Sequence, residues 1–405
     1  MPQVRGQLQR LFLLGALSLL VATAANAQNA PGVTATEIKI GQTNPYSGPL
    51  SSIGHNGVGD TAYVKMLNDA GGINGRKINL LSYDDAYTPP KTVEQTRKLV
   101  EQDQVAFIFR SMGTAHNTAT AKYLNDRKIP QLFIATGSSK FYDPKNYPWT
   151  MCYVPSYFDE GEIYGRYILA DKPAAKVAVL YQNDDQGKDF LNGLKKGLGD
   201  KASSIIAKTA SFEVADPTVD SQVISLQASG ADFLFIFTSS PRAISQAIRK
   251  AYDGGWRPTF VLTSIGNLIS NIKPAGTEKA VGALTAAYFK DPFDPQWKND
   301  PDVVAWNAWM DKYIPNSDKT DTGYMHAYIT GNLLKHVLTQ AGNNLSRENI
   351  MQQARTMKDV TVPLLLPGIK VNTSPTDYRP IKQMQLRRFD GERWVSIGKL
   401  ISTEN

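Results

Sequence analysis

Short apolar runs alternate along this chain with longer stretches in which apolar residues recur every three or four positions. Glu37–Gly41 alternates as a strand, and Lys77–Tyr83, Val105–Phe109, Leu132–Ala135, Val177–Tyr181, Ser204–Thr209, Phe233–Phe237 and Phe260–Thr263 read as further strands. Helical patterns separate them. One runs through Tyr63, Met66 and Leu67 and stops at Gly71-Gly72; another opens at Pro89 behind Thr88, with Val93, Leu99 and Val100 as its apolar positions. Others start near His116, span Phe158–Ala170, reach Leu198, and span Thr218–Ala228 and Pro241–Tyr252. Later helices are predicted at Val303–Tyr313 and Tyr324–Gln340, and Gln383–Ile397 reads as a hairpin turned at Asp390-Gly391. Strands alternating with helices predict an α/β fold of doubly wound parallel sheets, covered on both faces. No repeat of fixed period is visible, which argues against solenoids and propellers.

Two of the loops after these strands carry the candidate chemistry. Val105–Phe109 ends in Ser111-Met112-Gly113-Thr114, and Leu132–Ala135 ends in Thr136-Gly137-Ser138-Ser139. In open α/β sheets ligands bind outside the carboxyl ends of the strands. Backbone N–H groups at a helix start, with hydroxyls beside them, suit a carboxylate or another anion. Any one of these Ser or Thr residues equally serves as a helix cap; two such loops in series favour a binding site.

Composition narrows the setting. Arg5 and Arg10 precede the apolar run Leu11–Ala22, and Ala25-Asn26-Ala27 supplies a small-x-small cleavage pattern, so residues 1–27 are expected to be a secretory signal peptide. The run is short for a bilayer span. The single cysteine, Cys152, lies far from that segment, which excludes a lipid anchor on a processed cysteine and any intramolecular disulfide. The expected product is a soluble periplasmic protein stabilised by its core. Its formal net charge of +7 over 405 residues is dispersed, with no stripe suited to nucleic acid or to a membrane surface.

Catalytic constellations are missing from the sequence: no G-x-S-x-G elbow, no H-E-x-x-H, no Walker loop. No cofactor or metal is expected. The four histidines, His55, His116, His326 and His336, show no metal-ligand spacing. His326 reads as a helix-face residue, and His116 lies close enough to the Ser111–Thr114 loop for a polar contact to a ligand. Asp84-Asp85 and Asp184-Asp185 follow strands, where Asp serves turns and caps.

The order of motifs resembles the branched-chain amino-acid (leucine/isoleucine/valine) receptor family of ABC importers, which are type I periplasmic binding proteins. The matching stretches are IKIG-x-x-x-P-x-SGP at 38–49, the N-D-A-GGING-R-K-I run at 68–78, KIPQLFIATGS at 128–138 and VAVLYQNDDQGKD at 177–189. The resemblance implies two α/β lobes joined by a three-strand hinge, closing on a ligand as a Venus flytrap. It places 28–154 plus 285–360 in the first lobe and 155–284 plus 361–405 in the second. It also implies a ligand carboxylate held by Ser111, Met112, Gly113 and Thr114, then by Gly137, Ser138 and Ser139. From the second lobe it brings Tyr153 and Tyr157, Gln186, Ser239 and Ser240, and Ser264 with Ile265.

Amino-acid-binding members pair the α-ammonium group with an acid on the second lobe, where this chain has Ser264-Ile265 and Tyr157. An unpaired buried ammonium costs several kcal/mol, roughly. The departure favours a carboxylate without an amino group, with an aromatic acid as the expected ligand and Tyr153, Tyr157, Tyr288 or Tyr324 flanking its ring. The expected partners are this ligand and the permease subunits of an ABC importer, served by a monomeric receptor. The alternatives are a branched-chain amino-acid receptor and a sensing domain; a hydrolase using the serine loops has no base beside a serine.

Overall fold

The computed structural model describes residues 29–48 and 50–403, so the expected signal peptide and Pro49 of the 38–49 motif lie outside the described residues. Among the described residues twelve strands form two sheets. The first contains β1 (Glu37–Asn44), β2 (Lys77–Asp84), β3 (Ile108–Phe109), β4 (Gln131–Ile134) and β5 (Thr150–Cys152), all parallel, in the order β2-β1-β3-β4-β5. The second contains β6 (Val177–Gln182), β7 (Ile206–Phe212), β8 (Phe233–Phe237), β9 (Thr259–Leu262), β10 (Leu284–Ala287), β11 (Gln383–Phe389) and β12 (Trp394–Ser402). Its order is β12-β11-β10-β9-β8-β6-β7, parallel through β10 and closed by the antiparallel tail hairpin.

Both sheets are doubly wound, with the reversal of strand order falling between β1 and β3 in one and between β6 and β8 in the other. The helices are α1 (His55–Asp69), α2 (Pro89–Arg97), α3 (Thr114–Asp126), α4 (Tyr157–Asp171), α5 (Asp185–Leu198), α6 (Ala202–Ile205), α7 (Asp220–Gln227), α8 (Pro241–Asp253), α9 (Ile269–Ile272), α10 (Pro301–Tyr313), α11 (Thr322–Ala341) and α12 (Arg347–Ala354). Strand β8 reads FLFIF and is buried at every position, as a strand covered by helices on both faces must be. Pro241 at the first position of α8 and Ser240, whose hydroxyl accepts from the Ala243 N–H at 3.4 Å, show why that helix starts where it does.

Several expectations shift. Val105 and Ala106 are not strand: their carbonyls accept from the Arg347 guanidinium at 3.0 and 2.8 Å, leaving only Ile108–Phe109 to pair. The tail hairpin is longer than expected, because β12 continues to Ser402 past a register shift at Gln385/Leu386. Leu284–Ala287 belongs to the second sheet, so the chain leaves that lobe after Ala287 rather than at 284. The chain passes from the first sheet to the second between Cys152 and Val177, and leaves the second sheet after Ala287 to return at β11. At the first passage α4 and α5 touch backbone to backbone: a Cβ on Gly193 would lie 2.0 Å from the Phe158 carbonyl oxygen. That close approach stacks the Tyr157 ring on Phe190, with centroids 4.6 Å apart.

Candidate functional site

A cavity of about 310 Å³ lies between the lobes, at the carboxyl ends of both sets of strands. This is small for a ligand pocket and fits a compact molecule. Helix starts converge on it: His55 and Asn56 of α1, Thr114 of α3, Gln186 of α5, Pro241 of α8, and Thr322 with Gly323 of α11 all line the wall. Three of these helices carry their own acidic or hydroxyl cap. Asp184 accepts from the Gly187 N–H, Ser240 from Ala243 and Asp321 from Gly323. Helix α3 has none. It begins behind Gly113, whose φ of 95° and ψ of 142° only glycine adopts comfortably. The amides of Thr114 and Ala115 have no acceptor among the described residues, and the Thr114 hydroxyl meets only that of Thr136, at 2.7 Å. A helix N-terminus left open beside a cavity attracts an anionic group.

Of the residues expected from sequence, Met112, Gly113, Thr114, Tyr153, Tyr157, Gln186, Ser239 and Ile265 line this cavity. The others lie outside its lining, each with an occupied partner. The Ser111 hydroxyl accepts from the Thr43 N–H at 3.1 Å. Gly137 is covered by the crossover, its carbonyl accepting from Tyr157 N–H. Ser138 and Ser139 reach across to the other lobe, where both hydroxyls and the Ser139 amide donate to the Asp189 carboxylate at 2.7–3.0 Å. They fasten the lobes together instead of facing the cavity. Ser240 is the α8 cap, and Ser264 donates through its amide and hydroxyl to Glu160 at 2.7 and 2.6 Å.

The aromatic candidates divide in the same way. Tyr288 is buried behind the wall and Tyr324 stacks on His55 at 5.8 Å; neither lines the cavity. His116 is buried under Tyr87, ring centroids 4.0 Å apart, and only Tyr87 reaches the cavity. The aspartate pairs serve turns, caps and ion pairs. Asp84 receives the Tyr46 and Ala86 amides, Asp85 those of Tyr87 and the Thr92 hydroxyl, and Asp185 pairs with Lys140.

Sequence reasoning missed a second set of residues: Tyr87, Asp318 and Asp321, His55 and His326 all line the cavity. The D-T-G stretch at 321–323, a helix-capping pattern, is the signal that could have found Asp321. His55 Nδ1 lies 2.6 Å from Asp321, whose hydrogen bond raises the imidazole's proton affinity. Behind the wall Arg110 and Asp60 form a fully buried ion pair at 2.7 Å, with Asn56 accepting from the same guanidinium at 2.6 Å.

Glu160 is another fully buried acid. Burial pushes its carboxyl up to about 7, against the opposing hydrogen bonds from Ser264 and Tyr164. Relative to an ordinary 4.5, the folded chain holds this proton more tightly than the unfolded chain does. Its contribution is therefore full below about pH 4.5 and is lost as the pH rises through about 7. That difference amounts to about 3 kcal/mol. Glu160→Gln is expected to remove this part of the slope, so urea unfolding at pH 5 and pH 8 should show the variant gaining on the parent at pH 8. Parallel pH profiles would mean Glu160 keeps its ordinary acidity.

The sequence model of the periplasmic binding proteins matches residues 37–393. Among curated relatives, the leucine-, isoleucine-, valine-, threonine- and alanine-binding protein of Pseudomonas aeruginosa is 23% identical over 80% of this chain and 84% of its own length. Among solved structures, a branched-chain amino-acid ABC transporter protein from Thermus thermophilus with bound valine superposes with a TM-score of 0.81 at 15% identity, covering 92% of this chain and 98% of that one. A fatty acid ABC transporter substrate-binding protein from Thermomonospora curvata does so with a TM-score of 0.77 at 17% identity, over 94% and 96%.

Proposed function

Because the chain belongs to the periplasmic binding protein family, we propose that it is a periplasmic receptor that binds a small organic carboxylate between its lobes and delivers it to an ABC importer. The open N-terminus of α3 carries this reading: it has no side-chain cap, and the amides of Thr114 and Ala115 have no acceptor among the described residues. Closure of the lobes around a ligand excludes water, which strengthens the amide–carboxylate bonds and shifts the population toward the closed form. Tyr87, Tyr153 and Tyr157 give the wall three aromatic rings, in favour of an aromatic acid.

A branched-chain amino acid is the second reading. Asp318 and Asp321 in the lining offer an ammonium group the acid that Ser264-Ile265 lacks, and the Pseudomonas relative is named for such ligands. The reading is of a receptor rather than an enzyme, since the cavity hydroxyls of Thr114 and Ser239 face Thr136 and Gln186 instead of a base. No helix among the described residues is long and apolar enough to cross a membrane, and the proposed form is a monomer exported to the periplasm.

Thermal unfolding of the refolded, ligand-free protein tests this against aromatic acids, keto and fatty acids, dicarboxylates, leucine and valine. A ligand at ~100 times its dissociation constant stabilises by about 2.7 kcal/mol. A shift with non-amino acids alone supports the first reading, a shift with leucine or valine the second, and no shift with any carboxylate overturns both.

A further inference from the structure

His326 sits at the fifth position of α11, one turn beyond Thr322, and shares the cavity wall with it. Three rings enclose its imidazole: Phe289 at 5.4 Å, Tyr153 at 5.6 Å and Tyr288 at 6.1 Å between centroids. Its Nδ1 lies 3.1 Å from the Tyr288 hydroxyl. Tyr288 is fully buried, and that hydroxyl has no other hydrogen-bond partner among the described residues. A phenol with one available acceptor gives its proton to it, so Nδ1 accepts and the ring proton sits on Nε2. Nε2 is not among the sealed, unpartnered polar atoms and has no protein partner among the described residues. With the rest of the ring boxed in, its N–H is left to the cavity.

The imidazole is also neutral. Burial, with the Arg110 charge nearby, pushes it down to about 3. A neutral donor held in this way contributes little to charge attraction, which the α3 terminus supplies. Its chemistry suits a neutral oxygen.

We propose that His326 Nε2–H reads a second oxygen on the bound acid, a hydroxyl or keto group beyond the carboxylate, and so selects hydroxy- or oxo-carboxylates over their unsubstituted counterparts. This rests on the carboxylate reading above. A ligand without that oxygen covers the N–H on closure and leaves it unpaired, which is how a polar site rejects an analogue that lacks the matching group.

The test is isothermal titration of matched pairs onto ligand-free protein: benzoate against 2-, 3- and 4-hydroxybenzoate, and 4-methylpentanoate against 4-methyl-2-oxopentanoate. In at least one pair the oxygenated member is expected to bind about 10- to 100-fold more tightly. His326→Phe, whose ring fits the aromatic box, should bring that pair within about 3-fold by weakening the oxygenated member alone. Tyr288→Phe, which frees the ring to take the other tautomer, should narrow the ratio while keeping the histidine. If His326→Phe does not fold, His326→Gln, which retains an N–H donor, should keep part of the preference. Equal affinities within every pair in the parent protein, or an equal loss for both members in His326→Phe, overturn the inference and leave the carboxylate reading standing. Failure of every member of every pair to bind the parent overturns the inference, and the carboxylate reading falls with it when no carboxylate of the thermal screen binds either.

Discussion

Asp60→Ala is expected to destabilise the protein by about 3–5 kcal/mol, the cost of breaking a buried ion pair by removing one partner. Asp60 and Arg110 are fully buried side chains 2.7 Å apart, and Gln42 donates to the other carboxylate oxygen at 2.9 Å. Burial works against the guanidinium's charge, and the combined pull of Asp60 and Tyr153, through charge and hydrogen bonding, outweighs it and keeps Arg110 charged. Without Asp60, Arg110 keeps the neutral groups of Asn56, at 3.2 and 2.6 Å, and Tyr153, but no carboxylate, and its Nε already has no partner among the described residues. Arg110 also holds a left-handed backbone conformation, φ 50°, immediately before the Ser111–Thr114 loop. The loss should therefore loosen the cavity floor as well as the fold. A double variant, Asp60→Leu with Arg110→Met, is expected to recover most of the stability, because no charge is then left unpaired. Urea unfolding of the three proteins decides it; a single variant as stable as the parent would show that the pair is not sealed from water.

Gly113→Ala is expected to lower the affinity for whichever carboxylate stabilises the parent by at least about tenfold, and to cost about 1–3 kcal/mol of stability. Two effects combine. The backbone angles of Gly113 are ones that L residues rarely adopt. A Cβ there would also lie 2.4 Å from His116 Nδ1 and 3.1 Å from Tyr87 Cε2, so the first turn of α3 or the Tyr87 wall must move. The first turn of α3 is the proposed anion grip and Tyr87 the ring beside it, and a donor displaced by an ångström loses much of a hydrogen bond. Titration of the ligand found by thermal shift measures the loss. Unchanged affinity in a folded Gly113→Ala protein would place the carboxylate away from α3.

How far the sequence reached is clearest in the loops. Met112, Gly113 and Thr114 were found because a strand end, a small polar loop and a helix start lie next to one another in the chain, and their geometry follows from that adjacency. Ser138, Ser139 and Ser264 look the same in sequence as Thr114. The hydroxyls of Ser138 and Ser139 are held by Asp189, 51 and 50 residues away in the chain, and that of Ser264 by Glu160, 104 residues away. No local pattern distinguishes a serine facing a cavity from one facing a carboxylate of another element. His326 illustrates the converse: on its helix it reads as a face residue, and only the fold brings Tyr153, Tyr288 and Phe289 around it.

By itself the sequence determined the alternation of strands and helices, the parallel sheets and the positions of the strand-end loops, because these depend on apolar periodicity and on turn residues close in the chain. Tertiary structure alone decided which polar groups stay free for a ligand. A donor's availability is set by whether a distant acceptor fills it, and acceptors such as Asp189 and Glu160 reach their serines only once the helices have packed.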